Sequence, residues 1–212
     1  MAGPNRREDG AGMWLVVVLA PLAWLLGTFP SALLVARSKG VDVLAEGSGN
    51  PGASNVARLA GWRAGAFVLL LDFAKGALAA GVGLAVYGRV GAYVLGIAAV
   101  VGHTFPIYRK GGKGVAAAGG MLVVLYPVIV VALGIVWAVL AKVLHKASLA
   151  SLLCTIAFPV AVALMGYDRR EVIAVSALAV LVVVRHAANI RRLLHRAEID
   201  LTEGDRRDAH TS

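Results

Sequence analysis

The sequence is poor in charge and in cysteine. Only 16% of its 212 residues are Asp, Glu, Lys or Arg, against roughly 25% in soluble globular domains. The single cysteine, Cys154, lies inside an apolar run; it excludes an internal disulfide framework and reads as a small core residue rather than a reactive thiol. No His, Cys or carboxylate cluster has ligand spacing, so no metal is expected. No carboxylate pair and no conspicuous nucleophile stand out. A cleaved secretory signal is not expected, because the first apolar run is too long and lacks a small-residue cleavage site. No convincing internal repeat is present, which counts against a transporter built from paired halves.

What the chain has is apolar residues (59%), 25 glycines and a net charge of +9, with a mean hydropathy of +0.78. Disorder is excluded, since a disordered chain needs low hydrophobicity. The class is an all-α integral membrane protein with one membrane domain. Apolar runs cover Met13 to Ala36, Ala64 to Tyr87, Val90 to Ile107, Gly114 to Ala141, Leu149 to Gly166 and Val172 to Val184. The fourth is either one long span or two short ones turning near Tyr126-Pro127, because proline disfavours a continuing helix.

The positive-inside rule decides between them. One long span leaves 9 basic residues inside and 11 outside; two short spans leave 15 inside and 5 outside, with Lys75 in the membrane in both cases. The reading is therefore about seven transmembrane helices, N-terminus out and C-terminus in. Residues 1–12 are expected to be an N-terminal tail, 13–199 the membrane domain, and 200–212 a solvated tail. Two short spans and the final run fall below the usual spanning length, which requires burial in the bundle or local bilayer thinning.

This topology places three unusual segments on one face. The first holds Gly47, Ser48, Gly49, Asn50, Gly52 and Asn55, then Arg58. Its glycines let backbone N–H groups converge on a phosphate oxygen, the neutral side chains add donors, and Arg58 adds a bidentate fork. A flexible interhelical turn explains the same loop equally well. In the second, Gly111, Gly112, Lys113 and Gly114 open a helix, so free N–H groups, the helix dipole and a lysine can meet an anion. Gly114 stands where a Walker A motif needs Ser or Thr, and a snorkelling lysine is the bland alternative. The third has Arg185, His186, Asn189 and Arg192 at the end of the last helix, with Arg185, Asn189 and Arg192 on one face. A basic helix lying on anionic lipid accounts for the arginines but has no need of His186 or Asn189, which can hold a hydroxyl or carry a proton.

Asp72 and Lys75, three apart in the second span, should pair as a structural clamp. Ser148 is either a helix N-cap or a substrate donor. His103 and His145 read as satisfied core or interfacial residues. From the residues alone, cationic Gly-rich segments on one face of a membrane bundle suggest an enzyme acting on phosphate-bearing substrates; a transporter for phosphorylated solutes is the alternative.

GSGNPGASNVAR at 47–58, GHTFPIYRKGGKGVA at 102–116 and RHAANIRRLLHRAE at 185–198 resemble the three motifs of the bacterial acyl-phosphate:glycerol-3-phosphate acyltransferases of PlsY type. LDFAKG at 71–76 and ASLAS at 147–151 are also similar to family segments. The resemblance implies acyl transfer from acyl phosphate to glycerol 3-phosphate, giving lysophosphatidic acid and phosphate in a bacterial inner membrane, with the site facing the cytoplasm. It carries Ser48, Arg58, Lys113, His186 and Asn189 over as catalytic residues, with the glycine loops, Asn50, Asn55 and Ser148 as substrate-binding. Membrane lipid surrounds the chain; no cofactor, nucleic acid or obligate protein partner is implied. The loop before the GGKG turn is about two residues shorter than the family pattern, Ala117 stands where threonine is common, and Arg196 replaces a usual glycine. His195 to Asp200 fits the HxxxxD signature of unrelated acyltransferases and reads as a chance match.

Overall fold

A computed structural model describes residues 10–107 and 109–201. Among them the chain is all-helical, in nine elements: α1 (Gly10–Gly27), α2 (Ser31–Arg37), α3 (Ala53–Ala60), α4 (Trp62–Thr104), α5 (Val115–Leu125), α6 (Pro127–Leu144), α7 (Ala147–Leu164), α8 (Arg169–Arg185) and α9 (Ala187–Leu194). Residues 1–9 and 202–212, most of the two expected tails, lie outside the described residues. α1 starts inside the stretch read as an N-terminal tail. Asp200, at the start of the expected solvated tail, pairs with Lys146 at 2.9 Å.

Local sequence explains where the helices break. The Met13 to Ala36 run, read as one helix, divides at residues 28–30, because Pro30 lacks an N–H and restricts Phe29. The long central run breaks at Tyr126, with Pro127 at the first position of α6, where its missing N–H costs nothing. α4 leaves helical geometry at Tyr87 (φ −143°, ψ 35°) and Gly88 (φ 59°, ψ −151°). A methyl on Gly83 would strike the carbonyl of Gly91, whereas eight residues of straight helix span about 12 Å. The element is therefore a hairpin of two limbs, 62–86 and 89–104, matching two separate apolar runs in the sequence.

Four segments are long and apolar enough to cross a bilayer: Gly10–Arg37, Trp62–Thr104, Pro127–Leu144 and Ala147–Leu164; α8 with α9, bent by 59°, makes a fifth if taken as one broken span. Small residues bring the helices together. Gly27 lies against the Ala99 carbonyl, Gly102 against that of Trp24, Gly76 against that of Ala117, and Gly120 against that of Phe73, each too close for a side chain. Such contacts are how helices associate where lipid removes the hydrophobic driving force. Outward faces stay greasy, with Trp14, Leu70, Val128, Val143 and Leu164 exposed, a surface suited to lipid and not to water. The chain is a multi-pass membrane protein.

Buried polar groups fasten this frame. Asp72 accepts from Lys75 Nζ at 2.9 Å and from the Ser31 hydroxyl, while Lys75 also donates to the Phe29 carbonyl at 3.3 Å. His103 Nδ1 lies 3.6 Å from the same Asp72 oxygen. The expected clamp thus joins α2 to both limbs of α4. A second polar cluster ties the other end of the 89–104 limb to α8. Arg89 grips Glu171 with two nitrogens, at 2.5 and 2.9 Å, and lies over the rings of Tyr126 and Tyr167.

Candidate active site

The three unusual segments meet at one cavity of about 880 Å³. Ser48, Asn50, Gly52, Asn55, Arg58, Lys113, Ser148, His186 and Asn189 all line it. Beyond this polar end it continues between apolar walls that include Phe73, Leu122, Leu133, Trp137, Phe158 and Leu178. On α7 the lining residues Ser148, Ser151, Thr155 and Phe158 follow helical spacing. The ten helical steps from Ser148 to Phe158 span about 15 Å, so one helix face grades from polar to apolar along the cavity.

The 47–52 loop is held from within. Gly47 and Gly49 have φ of 59° and 60°, the left-handed region that glycine enters freely. Asn55 braces the turn: its Oδ1 accepts from the Ser48 N–H (2.9 Å) and Arg58 Nη1 (3.0 Å), and its Nδ2 donates to the carbonyls of Val43 (3.0 Å) and Glu46 (3.1 Å). The N–H groups of Gly49 and Gly52 go to the carbonyls of Glu46 and Asn50. Several donors read from the sequence as an anion nest are thus used to shape the loop. Of this loop, Ser48, Asn50 and Gly52 line the cavity together with the start of α3, whose N-cap Gly52 supplies no side chain. Arg58 reaches the rim, where its Nε donates to the Asp200 carbonyl at 2.9 Å.

The GGKG turn is wedged against the frame. A methyl on Gly111 would collide with the Thr104 carbonyl, and one on Gly112 with the His103 ring. The Gly112 N–H donates to the His103 carbonyl at 3.1 Å. Arg185 crosses from α8 to donate to the carbonyls of Gly111 (3.1 Å) and Gly112 (3.3 Å) and rests over the Phe105 ring. Gly111, Gly112 and Gly114 do not line the cavity; they position Lys113, which does. Gly114 takes the left-handed φ of 92° that starts α5. Burial pushes the Lys113 ammonium down to about 8, Glu198 opposing the shift and Arg192, Arg58 and Lys110 adding to it.

His186 sits at the break between α8 and α9. Its Nδ1 lies 2.8 Å from the Val182 carbonyl. In the neutral ring that bond puts the proton on Nδ1 and leaves Nε2 as an acceptor. Asn189, one turn on, is buried. Its Oδ1 lacks a hydrogen-bond partner among the described residues. Ser148 does not cap α7, whose N-cap is Lys146; its hydroxyl donates to Glu198 at 2.6 Å.

Sequence reasoning missed two residues here. Glu198 was seen only as the end of a motif and Arg192 only as part of a basic face. Glu198 accepts from Ser148 and Asn189 Nδ2, both at 2.6 Å, and from Arg192 Nε at 3.0 Å. Burial pushes the Glu198 carboxyl up, but these three donors and the arginine charge hold it below the ordinary glutamate range. The spacing of Arg185, Asn189 and Arg192 puts the three on one face in the sequence, but it does not distinguish a contact with Glu198 from a lipid-facing cation. Of the HxxxxD match, His195 is exposed and Asp200 is engaged by Lys146.

Residues 17–196 match the family described as glycerol-3-phosphate acyltransferase. The chain is 36% identical over 187 residues to the glycerol-3-phosphate acyltransferase of Bacillus subtilis, covering 87% of this chain and 96% of the relative. It is 42% identical over 187 residues to that of Pseudomonas aeruginosa, covering 84% and 96%. Among solved structures it resembles PlsY, an integral membrane glycerol 3-phosphate acyltransferase, in its glycerol 3-phosphate form, with a TM-score of 0.81, 34% identity, and coverage of 90% of this chain and 96% of that one. The lysophosphatidic acid form of the same enzyme matches with a TM-score of 0.79. With a family match that covers the first two cavity-forming segments and the third as far as residue 196, and relatives covered almost end to end, this chain belongs to the glycerol-3-phosphate acyltransferase family.

Proposed function

We propose that the protein transfers a fatty acyl group from acyl phosphate to glycerol 3-phosphate, forming lysophosphatidic acid and inorganic phosphate. One observation carries this reading: a single cavity has a cationic, hydroxyl-rich end and an apolar extension, matching substrates that present phosphate and an acyl chain together. An acyl phosphate is a mixed anhydride with a good leaving group. A hydroxyl oxygen of glycerol 3-phosphate attacks the acyl carbon, the carbon–oxygen bond to phosphate breaks, and no covalent enzyme intermediate is required. The protein then has to hold two phosphates close together and stabilise charge, which is positioning plus electrostatics. Ser48, Asn50 and the start of α3 hold the acyl phosphate, and Arg58, Lys113 and His186 grip glycerol 3-phosphate.

The hydroxyl proton has two acceptors, His186 Nε2 and a substrate phosphate oxygen. In His186→Gln, a large fall in kcat with KM nearly unchanged assigns the base to the histidine; a KM effect alone makes it a binding group. Counting the two limbs of α4 separately, with α1, α5, α6, α7 and α8, gives seven crossings, N-terminus out, with the site open to the cytoplasm of a bacterial inner membrane. The basic-residue distribution supports this orientation.

The test is incubation of purified protein with glycerol 3-phosphate and either palmitoyl phosphate or palmitoyl-CoA. Lysophosphatidic acid from the acyl phosphate is expected; product from the CoA thioester alone overturns the donor assignment. Uptake of labelled glycerol 3-phosphate into sealed liposomes without product makes the chain a transporter.

A further inference from the structure

Glu198 is an anion seated among groups assigned to substrate. Its side chain is 5% exposed, and both carboxylate oxygens are taken by Ser148, Asn189 and Arg192. The charge of Lys113 also acts on it. A phosphate entering this end of the cavity needs the same hydroxyl, amide and guanidinium donors. Two anions side by side in a partly dry site repel strongly, so carboxylate and phosphate compete for one place. The unfilled Asn189 Oδ1, buried on the cavity wall, fits a hydroxyl donor, a group that glycerol 3-phosphate brings and a carboxylate does not.

The backbone that carries Glu198 is built to leave. It belongs to no helix: α9 ends at Leu194, and Arg196 adopts φ 55°, a left-handed conformation that costs a non-glycine residue about 1 kcal/mol or more. The chain from 196 to 201, whose Glu198, Ile199 and Leu201 line the cavity, then runs to the α6–α7 turn. There the Leu201 N–H donates to the His145 carbonyl at 2.8 Å, and Asp200 meets Lys146. That ion pair is 32% and 39% exposed, and pairs so wetted contribute little.

We propose that Ser148, Asn189 and Arg192 form an anion subsite that Glu198 fills as a placeholder, and that a substrate phosphate displaces it, lifting segment 196–201 away from the cavity wall. This rests on the acyltransferase reading for the identity of the phosphate. The placeholder neutralises a cationic cavity while it is empty, and its departure opens the rim where Arg58 meets the Asp200 carbonyl.

Two measurements test it. Calorimetry of glycerol 3-phosphate binding, without acyl donor, should give a Kd roughly tenfold tighter in Glu198→Gln, because the closed state loses its charge-assisted bonds. Hydrogen exchange on the wild-type protein should show faster exchange across 196–201 when glycerol 3-phosphate is added. Weaker or unchanged binding in the variant, or exchange that slows or stays constant, overturns the proposal and makes Glu198 a fixed strut. If the variant does not fold, the wild-type exchange result decides alone. Lysophosphatidic acid formation without displacement sinks the placeholder but leaves the acyltransferase; displacement without product does the reverse.

Discussion

Two polar clusters sit at opposite ends of the same two helices, about 22 Å apart by helical rise. The 89–104 limb carries Arg89 at one end and His103 at the other; α8 carries Glu171 near its start and ends beside His186. At the first end Arg89 and Glu171 are matched one to one, and Tyr126 donates to the same carboxylate at 3.0 Å. At the second, Lys113 and Arg192 share the single carboxylate of Glu198, two cations to one anion among these described residues. A cluster that serves the fold satisfies its own charges, whereas one that serves a substrate leaves charge for the substrate to neutralise. That distinction separates the two where composition and burial do not.

Substitutions can break the contrast. Lys113→Ala removes a cation from the surplus and should lower kcat/KM by about a thousandfold, the scale of losing one transition-state charge contact, with little change in Tm; near wild-type turnover would sink the assignment. Asn55→Ala removes four hydrogen bonds that shape the 47–52 loop, and a misplacement of about 1 Å costs on the order of a hundredfold. Steady-state kinetics should show that loss even though the Asn55 amide donates to the Val43 and Glu46 carbonyls within the loop. Raising pH sharpens the comparison further. The Lys113 ammonium, at about 8, is charged below that value and neutral above it. The kcat/KM should therefore fall by up to about tenfold per pH unit above 8, and Lys113→Arg should flatten that limb. Arg89→Ala should have the smallest effect on chemistry, within about twofold in kcat/KM per folded molecule. It should still lower Tm by several degrees, as expected for about 1–3 kcal/mol lost with a charge-assisted pair. A large kcat loss there would erase the distinction.

Much of the membrane frame was legible from residues. The turn at Tyr126-Pro127 and the separation of the two α4 limbs follow from proline chemistry and from Arg89 interrupting the apolar pattern. The three cavity-forming segments were readable because glycine, lysine, histidine and asparagine are out of place in a lipid-facing pattern. What could not be read was the direction of each hydrogen bond. Asn55 and Gly112 look like ligands for an anion in sequence, yet the fold spends them on the loop and on the His103 contact. Glu198 escaped for the converse reason. A carboxylate near the end of a basic helix reads as a solvated charge until the chain is seen to turn back at Arg196.

The cavity wall draws Ser48 and Arg58 from the first third of the chain and His186 and Asn189 from its last helices. No nascent fragment that stops before α9 can hold both. If these residues form the proposed site, that site stays incomplete through nearly all of the chain's synthesis and insertion, until the closing helix arrives. A half-made chain would thus have no complete centre at which to squander a reactive acyl donor on water.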